Sequence, residues 1–155
     1  MRRRPPLPSL TRRDTLLIHI VARGRIGRGA EAELVDRYLK RVTWPVRLTE
    51  LPDRGGRMPA REPDTILVAM DETGEQLGSR EFADKLGRWR DDGKREVRFL
   101  IGAADGLEDA DVAAADLRIA YGRATWPHLM ARAMLAEQIW RGVSILANHP
   151  YHREG

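Results

Sequence analysis

The strongest constraint on this chain is a series of short apolar runs, each closed by turn-forming residues and followed by a helical pattern. "TLLIHIVA" (15–22), rich in β-branched residues, is the first, followed by "TILVAMD" (65–71), "VRFLI" (97–101) and "LRIAY" (117–121). Runs this short, bounded by Gly, Pro and Asp, predict buried strands. "VRLTEL", just after Pro45, alternates like a further strand. Between these runs apolar residues recur at helical spacing. Residues 30–42 carry Leu34, Val35, Tyr38, Leu39 and Val42, with Glu33 placed to pair with Arg37. A helix from Ser79, its predicted cap, to about Asp91 has Phe82, Leu86 and Trp89 on one face. Residues 108–115 predict a short helix and 127–146 a long one. "PDRGGRMPAREPD" (52–64) and "ETGEQLGS" (72–79) read as loops. Strands alternating with helices predict an α/β fold, a parallel sheet covered on both faces. Ligands of such sheets sit beyond the carboxyl ends of the strands. The loops after Asp71, Ile101 and Tyr121 are therefore the places for a site.

Charge has to be dissected before it means anything. The net +4 invites a nucleic-acid reading. Five arginines (Arg2, Arg3, Arg4, Arg12, Arg13) lie in residues 1–14, an Arg- and Pro-rich stretch without apolar periodicity. It reads as a disordered basic extension before a single domain at 15–155. Setting those five aside leaves 22 basic against 23 acidic residues. The absence of cysteine excludes a disulfide framework and a thiolate metal site, and fits a cytoplasmic protein. No apolar run reaches the roughly 18 residues a membrane helix needs.

Three stretches carry chemistry. In "FLIGAADGL" (99–107) a strand enters a glycine turn. Either Gly102 lets backbone approach a ligand, or the loop is a tight strand-to-helix turn. Asp105 argues against a phosphate cradle. "GRATWPH" (122–128) leads into the long helix, with Thr125 as a cap and Pro127 in the first turn. On that helix Leu129, Ala133, Ala136 and Trp140 form a stripe that packs on the sheet or on a second subunit, and Glu137–Arg141 reads as a solvated i,i+4 pair. The third stretch, "NHPYHRE" (148–154), gathers two histidines, a tyrosine and an arginine at the end of the chain. Histidine shuttles protons near neutral pH, and arginine binds anionic oxygens with a planar fork. Such a tail is either a base-binding element or a frayed polar end. His19, inside an apolar strand, reads as a satisfied core histidine. No histidine pair has the helical spacing of a zinc site, so no metal is expected.

Taken in order, "FLIGAADGL", "TWPH", "LAEQIWRG" and "NHPYHRE" resemble the RlmH family of bacterial large-subunit ribosomal RNA pseudouridine methyltransferases, within the SPOUT class of knotted enzymes. The resemblance spans nearly all of residues 15–154. It implies a parallel α/β sheet with a deep C-terminal trefoil knot, a rare exception to unknotted topology. It implies S-adenosyl-L-methionine bound at Met70, Gly102 and the run Tyr121, Gly122, Arg123, Ala124, Thr125 and Trp126. It also implies a homodimer with each tail near the partner's cofactor, acting on 23S ribosomal RNA in assembled ribosomes, with neither membrane nor metal. His152 is the candidate proton acceptor, Arg153 the stabiliser of charge on the base oxygens, and Tyr151 the stacking or orienting group.

The chain departs from the family pattern in places. Its loop reads "GAADG" where "GGPEG" is usual, Gly122 stands for a serine, and Arg123 and Trp126 enlarge the next loop. Residues 51–64 are short for the family. A rival reading follows: a ribosome-binding protein that keeps the knotted fold without catalysis. An unknotted hydrolase or nucleotide-binding domain would need GxGxxG, a P-loop or G-x-S-x-G, and the sequence has none.

Overall fold

The computed structural model describes residues 16–148 and Tyr151. The basic extension, residues 1–14, lies outside the described residues. The elements are β1 (Leu17–Arg23), α1 (Ala30–Leu39), β2 (Val46–Leu51), β3 (Thr65–Glu75), α2 (Ser79–Asp91), β4 (Glu96–Ile101), α3 (Asp109–Ala114), β5 (Leu117–Ile119) and α4 (His128–Leu146). The strands form one sheet in the order β2-β1-β4-β3-β5, every pair parallel. All five carboxyl ends therefore lie along one edge. Among the described residues no helix is long and apolar enough to cross a membrane.

Strand alternation divides the interior. Ile18, Ile20 and Ala22 of β1 and Val97, Phe99 and Ile101 of β4 face one way, in register as Ile18↔Val97 and Ile20↔Phe99. They pack against Phe82 and Leu86 of α2 and Leu135, Ile139 and Val143 of α4. Val35 of α1 packs on Ala133 and Ala136 of α4. The other face buries Val21, Leu51, Leu67 and Leu100 beneath Met58 and Leu107. That face is covered by the 52–64 loop and the turn after β4.

Arginines fasten this loop cover. Arg98 is buried; its Nη1 donates to Pro59 O at 2.7 Å, its Nη2 to Ala60 O at 2.9 Å and its Nε to Glu96 Oε2 at 2.7 Å. Arg23 donates to the carbonyls of Pro52 and Gly55. Arg61 grips Asp116 at 2.7 Å and the Thr65 carbonyl at 3.2 Å. His19 completes the network as a satisfied core histidine, with Nδ1 3.0 Å from Glu96 Oε2 and Nε2 2.8 Å from Thr49 Oγ1. Neutral imidazole fits if Nδ1–H donates to the carboxylate and Nε2 accepts from Thr49.

The network makes stability pH-dependent. Burial lowers the His19 pKa from 6.5, outweighing the hydrogen bond to Glu96 that would raise it. Burial alone would raise the Glu96 carboxyl, but the hydrogen bonds from Arg98 and His19 outweigh it and hold the group below 4.5. An unfolded histidine takes up a proton near 6.5 while the folded one resists, so stability falls as pH drops below that value. The Glu96 contribution is complete above 4.5 and is lost as pH falls through its lower folded value. Urea midpoints should be level near neutrality and decline in two stages on acidification. The first stage should disappear in His19→Gln; a decline that the substitution leaves intact would contradict the assignment.

Several local expectations change. β3 continues through Glu75, into residues that read as a loop. The reason is tertiary: Ile119 of β5 pairs with both Met70 and Glu75, and Ala120 N donates to Glu75 O at 2.9 Å. Gly74 permits this closeness, because a Cβ there would stand 2.6 Å from Ile119 N. Gly78, not Ser79, caps α2; Glu81 Oε1 accepts from its N–H at 3.0 Å, and Ser79 Oγ bonds Gln138 Oε1 at 2.8 Å instead. Helix α1 ends at Leu39, short of Val42, and its surface ion pair is Asp36–Lys40 at 2.7 Å.

Candidate active site

The loops after β3, β4 and β5 enclose a cavity of about 380 Å³. Met70, Asp71 and Glu72 line it from β3, Gly102 to Leu107 from the turn after β4, and Ile119 to Gly122 with Ala124 to Trp126 from the segment after β5. His128 and Ala131 of α4 close the wall. Open parallel sheets bind ligands in the crevice beyond these carboxyl ends.

Backbone turns make most of this wall. In the β4 turn Gly106 N donates to Ala103 O at 2.8 Å. A Cβ on Gly102 would lie 2.3 Å from the Gly106 carbonyl carbon. The turn's own closure requires the glycine, and the same residue lines the cavity. Trp126, 45% exposed, donates its indole N–H to Tyr121 O at 2.9 Å and closes the β5 loop. Thr125 does not cap α4: Pro127 holds that position, and the Thr125 hydroxyl bonds Glu72 Oε2 at 3.2 Å across the cavity mouth. Of the residues expected here, Met70, Gly102, Tyr121, Gly122, Ala124, Thr125 and Trp126 come together, whereas Arg123 is exposed and outside the lining.

Sequence reasoning missed the carboxylates Asp71, Glu72 and Asp105 as lining groups. The signal was present for Asp71, which directly follows Met70 at the strand end. His128, the first residue of α4, is a further lining group.

A second cluster lies along α4. Glu137 receives Arg141 Nε at 2.8 Å and Nη2 at 2.6 Å, Gln138 Nε2 at 2.8 Å and the Tyr151 hydroxyl at 3.2 Å. The Arg141 guanidinium lies 5.0 Å over the Tyr151 ring, and the Trp140 ring is 5.5 Å away. The Glu137–Arg141 side chains are 19% and 15% exposed, so this is a mostly buried joint and not the solvated pair its spacing suggested. Burial first, then the Glu137 charge, pushes the Tyr151 phenol up to about 12. The same two causes push the Tyr121 phenol up from its ordinary 10.0. Both phenols stay protonated near neutrality, as donors and not bases. Glu137 thus stands between the cavity wall at Tyr121 and the tail at Tyr151. Tyr151 rests on α4 of its own chain, outside the cavity lining. The other tail candidates, His152 and Arg153, lie outside the described residues.

Arg132, fully buried in α4, ties this helix to the ends of β1 and β2. Its Nη1 pairs with Glu50 Oε2 at 2.6 Å and its Nη2 donates to Gly24 O at 3.0 Å. Glu50 Oε2 also accepts from Ile26 N at 2.9 Å.

Comparison with known proteins places this architecture. Residues 16–152 match the family model described as "Predicted SPOUT methyltransferase". The chain is 73% identical over 140 residues to "Ribosomal RNA large subunit methyltransferase H" of Rhizorhabdus wittichii, covering 90% of this chain and 100% of that one. A protein of the same name from Phenylobacterium zucineum is 46% identical over 152 residues, covering 88% and 99%. Among solved structures, a probable methylase family protein from Haemophilus influenzae superposes with a TM-score of 0.58 at 11% identity, over 91% of this chain and 70% of that one. Such a likeness concerns the fold; the family follows from the model match and the close relatives, by which this chain belongs to the SPOUT methyltransferases, on the RlmH branch.

Proposed function

We propose that this protein transfers a methyl group from S-adenosyl-L-methionine to N3 of a pseudouridine in 23S ribosomal RNA, acting on assembled ribosomes as a cytoplasmic homodimer. The observation that carries the reading is the cavity at the carboxyl ends of β3, β4 and β5, in a chain whose relatives are named ribosomal RNA methyltransferases. Its residues suit the cofactor. Asp71, Glu72 and Asp105 favour a cationic donor, Met70 and Leu107 offer apolar surface, and the turns present backbone groups. The knot rests on membership of the SPOUT family, and the pairing of Ile119 with both Met70 and Glu75 is compatible with it.

Met70, Gly102, Tyr121, Gly122, Ala124, Thr125 and Trp126 would hold the cofactor, and Arg123 at the loop surface would face its edge. When bound, S-adenosyl-L-methionine supplies an electrophilic methyl on a positively charged sulfur. The protein's task is then to place the base ring and manage its proton. Positioning is the largest contribution open to it. The N3 imide proton must leave, and its pKa lies above neutrality, so His152 accepts it directly or through water. Arg153 stabilises the charge that spreads to the base oxygens. Tyr151 orients the ring. Its seat on Glu137 gives this residue a defined anchor.

Titration calorimetry with S-adenosyl-L-methionine should give one site per chain. Mass-spectrometric mapping after incubation with ribosomes from a deletion strain should place one methyl on a 23S pseudouridine. Absence of cofactor binding would favour the non-catalytic ribosome-binding reading. A methyl on another nucleotide would overturn the target assignment.

A further inference from the structure

The strand order separates charge around the cavity mouth. The turn after β4, which carries Asp105, stands in the middle of the sheet. On the β1–β2 side the loops bear Arg25, Arg28, Arg54 and Arg57, all exposed, against Asp53 among them and Glu31 and Glu33 in the first turn of α1. Glu50, at the end of β2, is already engaged by Arg132 and Ile26 N. On the β3–β5 side stand Asp71, Glu72 and Glu75, and α3 with its N-cap residue adds Glu108, Asp109 and Asp111, against Arg118 and Arg123.

The basic loops are joined to the site. Gly24 N donates to Leu51 O at 2.8 Å, holding the β1 loop beside the β2 loop. The ideal Cβ position on Gly24 is 3.0 Å from Asp53 Oδ1 and 3.8 Å from Nε2 of His128, which lines the cavity. Arg54 reaches Asp105 of the cavity wall at 3.5 Å. Arg23 and Arg98 fix the carbonyls of Pro52, Gly55, Pro59 and Ala60, so the β2–β3 loop is held at several points despite its glycines.

We propose that this rim, Arg25, Arg28, Arg54 and Arg57, is the seat of the RNA phosphate backbone, and that the acidic rim beyond β3 keeps the RNA from approaching from that side. The inference rests on the RNA methyltransferase reading above and adds the direction of entry. Phosphate contacts of this kind set register and orientation. Without the five arginines of residues 1–14 the charges nearly balance, and their separation steers a polyanion where net charge alone would not. Arg23, which stands with Arg25 and Arg28 in the sequence, is excluded because its guanidinium is spent on backbone carbonyls.

The test is steady-state methylation of ribosomes by the full chain. Arg25→Glu/Arg28→Glu/Arg57→Glu should raise KM for ribosomes by about tenfold or more and flatten the slope of log kcat/KM against log salt by about two. Saturating kcat and calorimetric cofactor affinity should stay at wild-type values. Glu108→Lys/Asp109→Lys, on the other rim, should leave KM unchanged or lower it. Filter binding of a 23S RNA fragment at low salt should weaken with the first variant. A triple variant with wild-type KM, or one that weakens ribosome binding but not fragment binding, overturns the proposal, the latter by pointing to a ribosomal protein surface. If the wild-type chain transfers no methyl at all, the underlying reading fails instead.

Discussion

Arg153→Ala is expected to lower methyl transfer to ribosomes by about 10²–10³-fold, the loss typical of removing one group that stabilises developing charge. Cofactor affinity should remain near the wild-type value, because the proposed cofactor wall is built from β3, β4 and β5 loops. Arg153→Lys should recover only part of the rate, since a single ammonium does not reproduce a planar fork. Single-turnover assays at saturating cofactor would measure the loss in the transfer step. A fall in cofactor binding of similar size would instead make Arg153 a binding residue, and wild-type turnover would remove it from the mechanism.

Glu96→Ala should destabilise the fold by about 3–5 kcal/mol, because it strands buried cationic and polar donors without their acceptor. Arg98 is 3% exposed and His19 1%. Arg98 would keep its bonds to Pro59 and Ala60 but lose the carboxylate that balances its charge. For a chain of this size a melting temperature lower by about 10 °C or more follows. Glu96→Gln should cost less, since it keeps an acceptor oxygen while losing the charge. Chemical denaturation of both variants would distinguish charge balance from hydrogen bonding; equal losses would show that charge is not the reason.

The elements were legible because their causes are local. β-branched apolar runs in a parallel sheet read as strands whatever lies around them, and α2 and α4 appear close to their expected bounds. The misses share a different origin. The polar residues Asp71 to Glu75 become strand only because β5 lies beside them, a partner far along the chain. Ser79 and Thr125 were good caps by local rule but were taken by Gln138 and Glu72. The cavity's loops were legible because parallel sheets fix where ligands go. Its acidic character and the Glu137 joint required knowing which side chains meet. Spacing alone made Glu137–Arg141 a surface pair, but Tyr151 folds back upon it and Tyr38 of α1 lies beside it.

The grip of arginines on the chain's own carbonyls changes what its composition means. With 24 arginines and 3 lysines, the sequence invites an explanation from codon usage or from RNA. Arg23, Arg61, Arg98 and Arg132 answer to neither, for each spans acceptors within the fold that one ammonium on a flexible stem would not bridge together. Here guanidinium serves as internal mortar, and a tally of cations overstates how many remain to meet a polyanion.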